Sequence, residues 1–531
     1  MIKKIDFIFK IESIPHLSKY IKLFWVYFVI SIFIYADKII NIFPNPDAIW
    51  NSTIYKTSFE WEVGLGRFSI ALLQLLRGYV INTTFVTLLA LVFVSLICVF
   101  IIKILSVNRL IWQVLCGIII ILSPSIGCTL TYYYCSDMYL FSYFLAVISV
   151  YFLASRNSIS SIFLSGVLLA ISCSIYQAYL GIAIMLCFLY IFIMILDSNI
   201  TFTQIFRQTA RFLAGGVSGI VLYLLSNKLV QAFLNIDAVE NRGFSTMGML
   251  DLGELPEQIW QCYIYFYHYF FSFEMINNTA HYGERSFINL IVFIIIGLST
   301  MLILIHRKMT ILRKAFCVGF ISIIPIAFMS IIIWAPETNV LSSTGVLMLP
   351  TMNYIYILGI LLLMQIVFGK QNFMYYAGAA VYAGVICMLL TLELSGQSYM
   401  KHYMAKTDFV AHQMINSIEE KVDNSSQYEL CIVGNMEDGN FPEQYPELYE
   451  SLHWLTPSYR TVWSDFNATQ GCWMSYFKQF TGKTYSSCDY EDYQKIAESG
   501  ILDKMDNFPD ENSICIYDNN LIVLKLSDIS W

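Results

Sequence analysis

The chain has 531 residues, 57% hydrophobic and 13% charged, with a formal net charge of -7. The charge content is about half the ~25% of ordinary globular proteins, so a water-soluble fold is excluded, and the negative balance argues against nucleic acid as a partner.

The apolar residues fall in blocks of the ~20 residues that a helix needs to cross a bilayer. In chain order they predict about eleven spans, near 22–36, 82–104, 111–130, 138–154, 161–178, 180–196, 212–233, 286–305, 315–334, 351–368 and 373–393. Tyr and Trp flank many of them, as rings seated at the headgroup level do. The N-terminal stretch carries Lys3, Lys4, Lys10, Lys19 and Lys22 and no small-residue cleavage site, so it is expected to be retained and cytoplasmic. The short loops with Lys103 and Arg109, Arg156, Arg207 and Arg211, His306 to Lys314, and Lys370 then all fall inside. Of the acids before residue 393, only Asp6, Glu12 and Asp197 join them; the others face outward in long loops, about 45 residues after the first span and about 50 after the seventh. Long loops gathered on one face point to a functional face.

The first outward loop opens with Ile34-Tyr35-Ala36-Asp37-Lys38 and is broken by Phe43-Pro44-Asn45-Pro46-Asp47. Phe59-Glu60-Trp61-Glu62-Val63-Gly64-Leu65-Gly66-Arg67 follows, then Ile70 to Leu76, too short to span and expected along the interface. Carboxylates and a guanidinium thus reach the same membrane level. A carboxylate can take a hydroxyl proton and Arg can grip phosphate oxygens in pairs, which suits a reaction of a hydroxyl with a lipid-linked phosphate. The alternative is structural: Asp37 caps its helix or pairs with Lys38, and Arg67 is an interfacial anchor.

Further along, Thr131-Tyr132-Tyr133-Tyr134-Cys135-Ser136-Asp137-Met138-Tyr139 puts an acid where a span begins. Asp137 is an N-cap or a second functional acid, and Tyr132 and Tyr134 are belt residues or a sugar platform. In Tyr176-Gln177, a Gln at membrane depth must find partners, in the bundle or on a ligand. The loop after the seventh span offers Asn241-Arg242-Gly243 and an aromatic run, Ile259 to Phe271, read as an interfacial helix. Trp334 to Gly345, rich in turn formers, is expected to move over the site.

After Glu393 the texture changes. Residues 396–427 read as an amphipathic helix and linker between a membrane domain, 1–395, and a soluble α/β domain, 428–531. In the latter Leu430 to Gly434 is a buried strand, 446–454 and 490–498 are helical, and Ile514–Tyr517 and Leu521–Leu524 form a hairpin about Asp518-Asn519-Asn520. An odd number of spans places this domain outside. There Cys431, Cys472, Cys488 and Cys515 would meet an oxidising space, with Cys472 and Cys488 closing a short loop. No His/Cys cluster has metal-ligand spacing, although an acid pair could recruit a divalent ion.

The order of these features, an acid after span one, Trp61 with Gly66-Arg67, the Tyr/Asp turn at 132–139 and Tyr176-Gln177, resembles the GtrII-type bacterial glucosyltransferases over roughly residues 20–393. The resemblance implies a polytopic α-helical membrane protein of the GT-C kind in the bacterial cytoplasmic membrane, needing no cofactor. Such enzymes take glucose from undecaprenyl phosphate, a polyprenyl-phosphate carrier, and transfer it outside the membrane to O-antigen or a similar surface glycan. It further implies Asp37 as the base and Arg67 as a donor-phosphate ligand. Lys38 stands where the family often has a second acid, so Glu60, Glu62 or Asp137 could be the base instead, and Lys38 could itself meet the phosphate. Trp61, Tyr132, Tyr134, Tyr176, Gln177 and Arg242 are then the expected substrate-binding residues. A polysaccharide polymerase or ligase is the rival within the same substrate class. A lipid-linked glycan transporter or flippase fits less well, because the spans are nearly free of charge.

Overall fold

The computed structural model describes residues 17–41, 43, 45–53, 59–78, 81–239, 253–271, 284–335, 345–366, 372–422, 427–434, 466–518 and 520–528. Lys3, Lys4, Lys10, Arg242, Lys370, the 336–344 loop and the expected helix at 446–454 lie outside the described residues.

Helix α1 (Leu17–Ile34) leads into four short helices, α2 (Ala36–Ile40), α3 (Pro46–Thr53), α4 (Phe59–Gly64) and α5 (Phe68–Leu76). The bundle continues through α6 (Thr83–Ile104), α7 (Leu110–Ile121), α8 (Pro124–Thr129), α9 (Ser136–Ser155), α10 (Ile159–Ile175), α11 (Leu180–Leu196) and α12 (Phe202–Leu234). It closes with α13 (Leu255–Phe271), α14 (Glu284–His306), α15 (Ile311–Ser322), α16 (Ile324–Phe328), α17 (Ile331–Trp334), α18 (Tyr354–Ile366) and α19 (Asn372–Lys421). Among the described residues six helical stretches are long and apolar enough to cross a membrane: 83–104, 136–155, 177–196, 202–234, 286–306 and 376–421. Three further apolar helices, 110–121, 159–175 and 354–366, are shorter. The apolar block at 111–130 breaks between α7 and α8, ahead of Pro124, and the block at 315–334 breaks into α15, α16 and α17 around Pro325. In both places proline removes an N–H and disfavours helix at the residue before it; mean hydropathy does not register either effect.

The helices pack through small and hydroxylated residues, as apolar helices do where no water drives them together. Ser142 and Ser172 join α9 to α10 reciprocally, each hydroxyl donating to the other's carbonyl at 2.8 Å. Where α10 crosses α12, a Cβ on Gly166 would collide with Ser218 Oγ, and one on Gly219 would stand 2.9 Å from Leu169 Cβ. One end of the bundle is basic. There Lys103 sits over the Tyr20 and Tyr151 rings, Arg211 donates to Asn157 and to the Arg156 carbonyl, Arg307 to Gln365 and the Leu196 carbonyl, and Arg313 to the carbonyls of Asp197 and Ile200. The other end carries α2 to α5, the 131–137 turn and Gln177.

Helix α19 has 50 residues, about 75 Å at ~1.5 Å per residue against ~30 Å of hydrocarbon. The expected amphipathic helix is therefore the continuation of the last span, and its Met414, Ile415 and Ile418, with Val422 just beyond its end, pack with Leu430, Ile432, Trp473 and Ile522 of the C-terminal segment. That segment folds as β1 (Glu429–Val433), α20 (Phe466–Tyr476), β2 (Ser486–Ser487), α21 (Tyr490–Glu498), β3 (Ile514–Tyr517) and β4 (Leu521–Lys525). The strand order is β2-β1-β4-β3, with β3 antiparallel to β4 and the others parallel. The hairpin turn takes its tightness from Asp518, at φ 49°. Among the described residues no disulfide joins Cys472 to Cys488, and the expected pairing is corrected. Cys472 lies on α20, whereas Cys488 follows β2 and shares the packed face of β1 with Cys431.

Candidate active site

The site grows from the end of α4. Gly66 adopts φ 71°, the Gly66 N–H bonds the Val63 carbonyl at 2.9 Å and the Arg67 N–H bonds the Glu62 carbonyl at 2.7 Å. This pair of bonds is the Schellman stop, which needs a left-handed residue and so favours Gly. Its effect is to turn the chain back so that Arg67 stands beside Glu62 before α5 begins.

Distant residues hold the turn. Gln177 Nε2 donates to the Leu65 carbonyl at 2.6 Å and to Tyr223 Oη at 2.9 Å, and Tyr223 Oη donates to the Gly66 carbonyl at 3.3 Å. Gln231 Nε2 reaches the Val63 carbonyl at 3.1 Å and the Val239 N–H reaches the Gly64 carbonyl at 3.0 Å. The carbonyls that a helix end leaves open are thus met by side chains and backbone of α12, its extension, and Gln177. Gln177, expected as a bundle bond or a ligand contact, makes the bundle bond.

Above the turn the Arg67 guanidinium lies 5.1 Å from the centroid of the Tyr176 ring, which stacks at 4.8 Å on Tyr139. Tyr139 in turn packs on Tyr132, and Tyr132 on Tyr134. Burial favours loss of the Arg67 proton, but Tyr139, Glu62, Tyr176 and Tyr134 outweigh it, and the guanidinium stays charged. Burial pushes the Glu62 carboxyl above its ordinary range; Arg67 pulls it back, and the Asp47 carboxylate pushes it further up. Asp47 sits in the first turn of α3, where Asn45 Oδ1 accepts the Ala48 N–H at 2.7 Å as the cap. Glu62 is 3% exposed, and its Oε2 and the Nε of Arg67 are buried with no hydrogen-bond partner. Each such orphan costs about 1–3 kcal/mol, so this turn holds one buried acceptor and one buried donor, both unmet. A molecule offering a hydroxyl to the one and an anionic oxygen to the other would satisfy both.

The remaining expected residues divide. Asp137 is buried and bonds Arg77 Nη1 at 2.9 Å, while Arg77 Nη2 donates to the Tyr134 carbonyl. The Asp37 side chain is 44% exposed, 3.6 Å from Lys401 Nζ and 3.1 Å from Asn41 Nδ2, so its neighbours are α19 and the end of α2 rather than Arg67. Lys38 turns inward to Glu393 Oε1 and the Gly127 carbonyl, both at 2.8 Å. Two of the three donors of its ammonium are thereby used within the bundle. Glu60 and Trp61 are exposed on α4. Among the described residues no group of three or more His, Cys, Asp or Glu gathers as a ligand set. Sequence reasoning missed Asp47 and Arg77. In the sequence Asp47 is only a loop acid, and the one sign of Arg77 is its place directly after the interfacial stretch ending at Leu76.

The C-terminal segment lies against this end. A Cβ on Gly471 of α20 would stand 3.2 Å from Trp50 Nε1 of α3, Ile49 packs with Trp473, Tyr476 and Phe477, and Gln479 Nε2 donates to Tyr133 Oη at 3.1 Å.

With the geometry in place, comparison with known proteins adds one match: residues 26–364 match the family described as Glucosyl transferase GtrII. No curated protein and no solved structure matches the chain.

Proposed function

The chain belongs to the GtrII glucosyltransferase family, and from that premise we propose that it moves glucose from a polyprenyl-phosphate carrier to a surface polysaccharide such as O-antigen. In this reading the acid-bearing end faces outward from the bacterial cytoplasmic membrane, and the basic end faces the cytoplasm, as positive loops do. Residues 1–395 carry the chemistry, 396–427 link them to the C-terminal segment, with 396–421 continuing the last helix, and 428–531 lie on the outer side.

Glu62 is the base and Arg67 the phosphate ligand. Glu62 takes the proton of an acceptor hydroxyl, whose oxygen bonds to the sugar C1 as the bond from C1 to the phosphate oxygen breaks. The polyprenyl phosphate leaves with that electron pair, and Arg67 meets its new charge in a water-poor site, where such a contact is strongest. One displacement inverts C1 and requires neither a second carboxylate nor a cofactor. Tyr176, Tyr139, Tyr132 and Tyr134 form the wall on which a sugar ring can rest.

One observation carries the assignment: Glu62 Oε2 and Arg67 Nε are both buried and both unpartnered. The test offers purified protein a set of polyprenyl-phosphate hexoses with an acceptor glycan. Glucose transfer is expected from the parent and from Asp37→Asn, with near-loss in Glu62→Gln. Transfer from a nucleotide sugar alone overturns the donor, and normal turnover by Glu62→Gln overturns the base.

A further inference from the structure

Strands β1 and β2 run parallel, with Glu429 opposite Ser486 and Leu430 opposite Ser487. The Cys488 N–H continues the ladder by donating to the Leu430 carbonyl at 3.2 Å. One step further along both chains stand Cys431 and Cys488. Residues opposite each other on neighbouring strands point to the same face at a strand spacing of about 4.8 Å, within the ~4.4–6.8 Å between Cα atoms that a disulfide bridges. Both belong to one apolar face with Tyr493, Ile496 and Val523, at 0% and 3% exposure. The neighbouring Cys488 thiol, together with burial, holds the Cys431 thiol well above its ordinary pKa.

The other cysteines of this segment are placed differently. Cys431 and Cys515 both pair with Val523 of β4, one from each side, so two strand spacings, about 9–10 Å, separate them. Cys515 Sγ instead meets Met505 Sδ at 3.5 Å. Cys472, on α20, is outside this face.

We propose that Cys431 and Cys488 are oxidised to a disulfide that staples the edge strand β2 to β1. Strand β2 has only two residues, and α21 starts at Tyr490 just beyond it, so the bond would fix the start of that helix as well. For the protein in its cell the proposal rests on the outward placement of this segment, where disulfides form and persist. The oxidant is another disulfide, that of a thiol–disulfide oxidoreductase or oxidised glutathione. One protein thiolate attacks it and expels a carrier thiolate; the second then attacks the protein sulfur of the mixed disulfide and expels the other. Two protons and two electrons leave the protein, and one carrier disulfide becomes two thiols.

The test uses the full-length protein in detergent. One sample is alkylated as isolated from cells; another is fully reduced, unfolded and refolded with oxidised glutathione. Both are digested and mapped by mass spectrometry. A Cys431–Cys488 linked peptide is expected in both samples, released by dithiothreitol and unaffected by Cys472→Ser. Cys431→Ser should leave Cys488 open to alkylation, with a lower unfolding temperature. A link from Cys488 to Cys472, or none after oxidation, overturns the strand-pair geometry. A link after oxidation with both thiols free in the cellular sample overturns the staple by overturning the outward placement.

Discussion

Lys38 poses the sharpest choice between two roles, because a cation beside Asp37 is a natural phosphate ligand by sequence and a buried lock by structure. Its Nζ is 2.8 Å from Glu393 Oε1, with side-chain exposures of 2% and 6% for the two partners. Gln397 Nε2 adds bonds to Glu393 Oε1 at 2.9 Å and to the Ile34 carbonyl at 3.0 Å, so α19 is tied to the end of α1. Lys38→Met strands a buried carboxylate, a loss of about 3–5 kcal/mol, and activity should fall with it. Lys38→Met with Glu393→Gln removes the stranded charge and keeps an acceptor for Gln397. What remains is the Gly127 carbonyl, an unmet group worth ~1–3 kcal/mol. The double variant should therefore be about 2 kcal/mol more stable than the single and should recover transfer. The measurement is thermal unfolding of the detergent-solubilised protein beside glucosyl transfer for parent, single and double variants. A double variant no more stable than the single refutes the lock. One that is stable but inactive returns Lys38 to the substrate.

The other predictions concern the turn at Gly66. Glu62 must be ionised to act as a base and its carboxyl is held up by burial, so transfer should rise with pH through an inflection above the usual glutamate range of ~4.3. Asp47→Asn removes a like charge and should move that inflection down. Since the folded state binds this proton more tightly than the unfolded chain, the site's contribution to stability is full below the unfolded value and is lost as pH rises through the folded one. Glu62→Gln should remove that component from a profile of unfolding temperature against pH. Arg67→Ala should lower kcat about 10²–10³-fold, the usual effect of deleting a donor at developing charge. Arg67→Lys, which keeps charge but loses the paired grip and the Tyr176 stacking, should restore only part of it. Gly66→Ala, at φ 71°, should cost about 1–2 kcal/mol and reduce transfer through Arg67; unchanged stability and rate would count against the turn.

How much of this was legible follows from where each partner lies in the chain. Long apolar blocks such as 82–104 became α6 almost residue for residue, because hydropathy over ~20 residues is a local property. The breaks at Pro124 and Pro325 were also written locally, but an apolar count averages over them. Gln177 was recognisable as needing partners, yet its acceptor, the Leu65 carbonyl, is 112 residues away. The same separation hid the Arg77–Asp137 pair, 60 residues apart, and the Lys38–Glu393 pair, 355 apart. Nothing in composition set Glu62 apart from Glu60. What separates them is burial, which the packing of α3, α4 and the tyrosine turn decides.

That packing also gives the C-terminal segment a physical connection to the chemistry. Helix α3 carries Asp47 in its first turn and Ile49 and Trp50 further along, and the latter two are held by α20 and its continuation. The charge that raises Glu62 is therefore positioned on one side by the Asn45 cap and on the other by a helix more than 400 residues later in the chain. Displacing α20 should act on Glu62 through Asp47, even though α20 supplies no group to the Glu62 and Arg67 pair. A bulky side chain at Gly471, where Trp50 leaves no room for one, is the smallest change that would do so. Gly471→Leu should consequently shift the pH inflection of transfer, whereas a domain that served only as a tether would leave the inflection in place and change stability alone.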